Sequence, residues 1–203
     1  LTVPGDFSSA AFWIAAALLL PGSDLTIEHV GVNPARKGLL EALAGAGVHV
    51  EWHAVNEQAG EPTATLRVRA QPLSAMHIQG KLVPCLIDEA PLLALLATQA
   101  HGITELRDAA ELRVKESDRI ETITTELRKM GAQIEPLLDG FRVQGPTPLH
   151  GAEVQSHGDH RIAMTLAIAG LIAHTGETVV HDVECVRTSF PEFESLLAQL
   201  VER

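Results

Sequence analysis

One ten-residue stretch concentrates the charge chemistry of this chain: Glu111, Leu112, Arg113, Val114, Lys115, Glu116, Ser117, Asp118, Arg119 and Ile120. Cations and carboxylates meet here where a loop turns into a helix. Free backbone N–H groups and the positive end of a helix dipole make such a junction favourable for an anion. If helical geometry already holds at Lys115, then Lys115 and Arg119 share a face at i,i+4 and Glu116 points elsewhere. The competing reading is a solvated charge run that opens an ordinary helix. A second stretch, Gly158, Asp159, His160 and Arg161, leads straight into an apolar run. A His and an Arg entering a buried helix are costly unless they are paired or face a cleft; the alternative is an Arg that snorkels at a helix start. The third candidate is Asp88–Glu89, again just before an apolar run, where a carboxylate serves as a cap or does chemistry.

The elements that must position these residues form a repeat. An apolar run at 9–20 follows Asp6, one at 91–100 follows Asp88, and one at 161–173 follows Asp159. Each is apolar nearly all round, which marks an element buried on every side. Buried parallel strands fit that description too, but the length and the Ala and Leu content favour helix. An acidic residue ahead of each run suits a helix N-terminus. After each run come a turn and a strand: 25–30, where Thr26, Glu28 and Val30 alternate against Leu25, Ile27 and His29, then 103–107 and 178–181. A second helix follows in each copy, at 36–44, 117–130 and, after Phe190–Pro191, up to about 201. The middle one carries a capping box at Asp118 and Glu121 and a C-cap glycine at Gly131. Strands at 48–52 and 132–136, the latter opening a hairpin at Asp139–Gly140, close the first two copies. The third has no closing strands. The pattern predicts a core of helices wrapped by short sheets, an α/β (α+β) fold, in units of about 4–80, 81–148 and 149–203.

Composition narrows the partners. The chain has 203 residues, 46% of them hydrophobic and 20% charged, enough to build one globular domain. Aromatics are only 3% and Tyr is absent, which leaves no stacking platform for single-stranded nucleic acid. A net charge of -11 opposes binding to phosphate backbones and makes a local Arg/Lys cluster informative. Cys85 and Cys185 form neither a disulfide framework nor a zinc spacing. Both are expected to be buried free thiols in a reducing compartment. No signal peptide or lipidation motif is visible, and the longest apolar stretch, 10–20, is shorter than the roughly 20 residues that span a bilayer. The expected location is cytoplasmic, although the chain opens at Leu1 rather than Met.

Four motifs, taken together, resemble one family. Residues 113–119 read RVKESDR, 159–164 read DHRIAM, 4–9 read PGDFSS and 189–193 read SFPEF. In this order and spacing they resemble the 5-enolpyruvylshikimate-3-phosphate synthases, and the resemblance covers essentially the whole chain. It implies an inside-out barrel domain of three similar units with buried helices and outer sheets. It also implies that 1–203 is most of one of two domains. The family's N-terminal Lys-Ser and Arg, which grip shikimate 3-phosphate, are not here, nor is the other domain with its Ser-Ser-Gln and phosphate-binding Arg.

The implied reaction adds a hydroxyl of shikimate 3-phosphate to C2 of phosphoenolpyruvate, protonates C3 and expels phosphate, on the route to chorismate and the aromatic amino acids. By resemblance, Asp88 accepts the hydroxyl proton. Glu116 protonates the methylene carbon, which requires a raised pKa, and Lys115 lies beside the hydroxyl. Arg119 and Arg161 clamp the carboxylate of phosphoenolpyruvate, while Asp159 and His160 hold the site without reacting. No metal or organic cofactor is implied. Thr188 stands where some members carry a phosphate-binding Lys, and Glu111 where others have Asn, as in the less glyphosate-sensitive subgroup; Arg187 could supply the missing charge.

Two other readings compete. A UDP-N-acetylglucosamine enolpyruvyl transferase shares the architecture, but its reactive-Cys loop is not found here and RVKESDR fits it poorly. A non-catalytic binding or structural fragment is the second, because a cleft between two domains cannot close when one is absent. The chain alone is therefore expected to turn over little or no substrate. Strand borrowing into a dimer would complete its third unit.

Overall fold

The computed structural model describes residues 3–58 and 60–201. Three helices fill its centre: α1 (Phe7–Leu19), α3 (Ala90–Gln99) and α5 (His160–Leu171). They are the three apolar runs of the sequence, and each touches the other two. Leu92 to Ala97 of α3 are almost entirely hidden, as are Ala11, Ile14 and Ala15 of α1 and Ile162, Leu166 and Ile168 of α5. A helix with no polar face has no other stable place. Three more helices lie outside: α2 (Gly38–Gly45), α4 (Arg119–Lys129) and α6 (Phe193–Val201).

The sheets form the outer layer. Antiparallel β1 (Asp24–Gly31), β2 (Glu51–Gln58) and β3 (Glu61–Arg69) are ordered β1-β3-β2. The second sheet is ordered β4-β5-β7-β6, from β4 (His77–Ile78), β5 (Gly102–Leu106), β6 (Gln133–Leu137) and β7 (Gly140–Gly145). The third pairs β8 (Glu153–Gln155) with β9 (Val179–His181) in parallel. The plan recurs: a short first strand, a buried helix, a strand parallel to the first, an outer helix and a hairpin. In the first copy the opening strand is reduced to a parallel bridge between Gly5 and Val30. In the third copy β9 has only β8 beside it among the described residues.

The structure departs from the sequence reading at several points. Strict alternation along β1 fails at His29, whose φ of 56° makes a bulge that turns Val30 to the buried side. A second bulge at Ala54 bends β2, which starts three residues later than expected and runs on to Gln58. β3, the central strand of that sheet, was not anticipated. α4 begins at Arg119, because Asp118 is its cap and accepts the amide of Glu121 at 3.1 Å; Gly131, at φ 94°, ends it as expected. Cys85 and Cys185 are half-buried rather than buried, because each falls on a surface 3-10 turn and not in the helical core. Among the described residues no helix is long and apolar enough to cross a membrane.

The core packing is open to a direct test. Leu93→Ala, in the middle of the helix trio, is expected to cost about 2–5 kcal/mol. The measurement is the urea midpoint at constant slope; a loss well under 1 kcal/mol would contradict the packing described here.

Candidate active site

The N-terminal ends of four helices meet at one end of the molecule. Ser8 in the first turn of α1 touches Glu89, which caps α3, while Arg119 opens α4 and reaches Asp159, the cap of α5. Each end carries unpaired N–H groups and a partial positive charge. The charged motifs, far apart in sequence, come together on this ground.

Asp159 is fully buried and organises the cluster. Its Oδ2 accepts Arg119 Nε at 2.8 Å and the Ser117 hydroxyl at 3.1 Å, and its Oδ1 accepts the Arg161 amide at 3.0 Å. Burial by itself pushes its pKa up. The bond and charge of Arg119, with the Arg161 amide and Ser117, outweigh that and hold the carboxyl below the ordinary aspartate range.

Arg119 is also buried, at 1% exposure. Its Nη2 donates to Glu116 Oε2 at 2.5 Å and its Nε to Asp159. Its Nη1 lies 3.6 Å from Asp88 Oδ1 and has no hydrogen-bond partner among the described residues. A buried guanidinium N–H without an acceptor is costly and rarely tolerated without cause. It is a donor waiting for an oxygen.

Asp88 sits in a 3-10 turn, Ile87–Glu89, one residue ahead of the cap of α3. Four cations converge on its carboxylate. Lys115 Nζ stands 3.6 Å from Oδ1, on the same oxygen as Arg119, and Arg36 Nη1 at 3.4 Å and Arg161 Nη2 at 3.8 Å face Oδ2. Arg161 Nη1 also donates to the Asp88 carbonyl at 3.2 Å. Lys115 and Arg119 converge without the i,i+4 geometry on which the sequence argument was conditional. Lys115 is extended and stands before the helix, closing the 3-10 turn Ala110–Val114. Glu116 does not point elsewhere; the bend at 115–117 brings it onto Arg119. Lys115 is further paired with Glu111 at 2.6 Å.

His160 is the first residue of α5, next to this cluster. Burial, followed by the Arg161 charge, lowers its pKa, so the neutral imidazole is the favoured form at neutral pH. Arg187 lies on the exposed turn Val183–Thr188, and no ion pair joins it to the cluster among the described residues.

Sequence reasoning missed Arg36, Ser8 and the part played by Glu89. Glu89 caps α3 without a side-chain capping bond, because its carboxyl turns to α1 and accepts the Ser8 hydroxyl at 2.5 Å. Burial raises its pKa, only partly opposed by Ser8 and by Arg161 at 3.6 Å. No motif links these residues; Ser8 and Glu89 are 81 positions apart. Glu126 was missed too. Its buried carboxylate accepts the Gln155 amide at 2.9 Å and lies 3.0 Å from His157 Nε2, fixing the loop that delivers Asp159.

The arrangement can bind an anion through guanidinium and ammonium groups, and it places two carboxylates, Asp88 and Glu116, beside that anion. Among the described residues no cluster of metal-ligating side chains is present.

Comparison with known proteins agrees with the geometry. Residues 1–197 match the family model described as EPSP synthase (3-phosphoshikimate 1-carboxyvinyltransferase). A 3-phosphoshikimate 1-carboxyvinyltransferase of Desulforamulus reducens is 48% identical over 201 residues, 99% of this chain and 47% of the relative. One from Streptococcus equi subsp. zooepidemicus is 50% identical over 200 residues, 98% of this chain and 46% of the relative. The chain thus spans about half the length of the curated relatives it matches. Among solved structures, an EPSP synthase from Acinetobacter baumannii superposes with a TM-score of 0.93 at 40% identity, over 98% of this chain and 46% of that one. The enolpyruvyl transferase NikO from Streptomyces tendae, at 22% identity and a TM-score of 0.75, covers 98% of this chain and 44% of its own, and shares the fold.

The burial of Glu89 gives a pH-dependent expectation. A carboxyl whose folded pKa is raised contributes stability below its ordinary value, 4.5, and loses that contribution as pH rises through the folded value. Glu89→Gln should therefore melt at a higher temperature than the unsubstituted chain at pH 7, and the gap should close near pH 4. An equal gap at both pH values would contradict it. Asp159→Asn should act in the opposite sense, costing about 3–5 kcal/mol at neutral pH by leaving Arg119 buried without its counter-ion, with the penalty shrinking in acid below the aspartate range.

Proposed function

Because the chain belongs to the EPSP synthase family, we propose that it is one half of a cytoplasmic enolpyruvyl transferase that joins phosphoenolpyruvate to shikimate 3-phosphate. The observation that carries this reading is the buried, unpartnered Nη1 of Arg119, set among three further cations around Asp88. Such a site fits a small, multiply anionic substrate. Its two carboxylates fit a reaction that removes a proton from oxygen and delivers one to carbon.

In this reading Arg119 and Arg161 hold the carboxylate of phosphoenolpyruvate through charge-assisted bonds. Asp88 takes the proton of the attacking hydroxyl as that oxygen bonds to C2, and Lys115, beside Asp88, steadies the developing charge. Glu116 delivers a proton to C3. It is bound to Arg119 Nη2 and is free for that step once the substrate carboxylate takes its place on the guanidinium. Loss of a proton from the new C3 methyl group, back to Glu116, and departure of phosphate from C2 then restore the double bond. Asp159 positions Arg119 and Arg161, and His160 lines the same end without taking a proton. No cofactor is needed for any of these steps.

Residues 1–203 are read as most of one of two domains, in units of about 4–80, 81–148 and 149–203. The recurring strand and helix plan supports that division. In the first two copies the second strand of the unit has a hairpin strand on its far side, β3 against β1 and β7 against β5. β9 lacks one among the described residues, so the rest of the protein would complete that sheet and supply the opposite wall of the cleft.

The test is reconstitution. The chain is mixed with a separately produced N-terminal half of a relative, and phosphate release is followed with both substrates. Turnover is expected on mixing and not with the chain alone. Asp88→Ala and Glu116→Gln should each lower kcat by about 100-fold or more, the scale of general acid–base catalysis. A well-formed complex that turns over equally with either substitution would remove both residues from the chemistry; one without any turnover would leave the chain a structural remnant.

A further inference from the structure

Arg36 belongs to none of the charged motifs, yet it reaches their centre. The turn ahead of α2 presents it: Asn33 Oδ1 accepts the Ala35 amide at 3.0 Å and the Asn33 carbonyl accepts the Arg36 amide at 2.9 Å. From there Nη2 donates to the Ser8 hydroxyl at 3.1 Å and Nη1 to Asp88 Oδ2 at 3.4 Å.

The Ser8 contact is directional. A hydroxyl has one hydrogen, and Ser8, only 3% exposed, commits it to Glu89 Oε1 at 2.5 Å. Its lone pairs are left for Arg36. Glu89 is itself buried and stands 3.6 Å from Arg161 Nη1. One buried Ser–Glu pair therefore backs two guanidinium groups, both of which face Asp88 Oδ2. A solvated surface arginine has no such backing.

Arg36 is also under-used. It has five N–H donors, of which two are engaged, and its side chain is 50% exposed. Its only carboxylate partner among the described residues is Asp88, which Lys115, Arg119 and Arg161 share. Those three have further carboxylate partners in Glu111, Glu116, Asp159 and Glu89, so Arg36 is the cation of the four whose donors are least engaged by the protein.

We propose that Arg36 is a substrate-binding residue, which takes an anionic phosphate or carboxylate oxygen of a substrate, with Ser8 and Glu89 as its positioning residues. The assignment rests on the reading of the site as an enolpyruvyl transferase. It gives the cleft the additional cation that the sequence reading sought in Arg187. Either substrate carries such oxygens, so the two are separated by experiment.

In the reconstituted pair, Arg36→Ala is expected to raise the KM of one substrate about 10- to 100-fold with a smaller effect on kcat. Arg36→Lys should restore part of that loss, as a point charge without the planar fork. Varying phosphoenolpyruvate at saturating shikimate 3-phosphate, and the converse, identifies which substrate is held. Ser8→Ala should raise the same KM by a smaller factor. Melting temperatures within a degree of the unsubstituted pair would exclude a folding defect. Both KM values unchanged in Arg36→Ala, or a fall in kcat alone, equal in the Ala and Lys variants, would overturn the assignment. If the unsubstituted pair gives no turnover, the reading of the site fails first. Arg36 is then judged on the same pair by following its Nε–H resonance during separate titrations with phosphoenolpyruvate and shikimate 3-phosphate. Movement with either ligand supports a binding role, and a resonance that stays still with both overturns it.

Discussion

The ion pair between Arg119 and Asp159 is the constraint on which the rest of this site depends. Both side chains are withdrawn from water, at 1% and 0% exposure. Neither charge could be buried alone, since each costs several kcal/mol to desolvate without its partner. The pair joins the first residue of α4 to the cap of α5 across 40 positions of chain. Once Asp159 has accepted Arg119, Ser117 and the Arg161 amide, the bend at 115–117 and the start of α5 have little freedom left. The directions of Lys115, Glu116 and Arg161 follow from that.

The helical core explains why such a pair can exist. Three helices with no polar face must pack against one another, and the repeat brings their N-terminal ends toward one end of the molecule. Those ends carry N–H groups that the helices cannot satisfy internally. Asp6 and Asp159 answer this directly by accepting amides of α1 and α5. At α3 the cap residue Glu89 turns away to Ser8, and Asp88 is left facing the cations. The same position in the repeat thus serves as a simple cap in the first copy, as the centre of the charge cluster in the second, and as the anchor of an arginine in the third.

Much of this was legible in the sequence, where the signal was local. The buried helices were evident from unbroken apolar runs, the Asp118 cap of α4 from its spacing to Glu121, and the charged motifs from neighbouring residues. Contacts made only by folding were not legible. Arg36 meets Asp88 across 52 positions, and Ser8 meets Glu89 across 81; nothing in their flanking residues announces it. The bulges at His29 and Ala54 were hidden because a single left-handed residue changes the face of every residue after it without changing the alternation of types. Lys115 and Arg119 were paired for the wrong reason: the helix that would have aligned them had not begun, and a bend did the work instead.

Asp88 has a further consequence for how the cluster meets an anion. Without a counter-charge, Lys115, Arg36, Arg119 and Arg161 would repel one another at this separation. Asp88 faces all four, with Glu111, Glu116, Asp159 and Glu89 sharing the counter-charge, yet at 3.4 to 3.8 Å only Arg36 makes a hydrogen bond to Asp88 among the described residues, and a long one. The groups turned to Asp88 are therefore kept in place without being fully satisfied there, which is the condition for electrostatic preorganisation: the cost of orienting the charges is met during folding rather than at binding. An arriving oxyanion can take the free Nη1 of Arg119 while Asp88 keeps its charge among the cations. A carboxylate held among cations in this way also stands beside whatever those cations bind. In the proposed reaction the residue that faces these cations is thereby also in position to receive the hydroxyl proton.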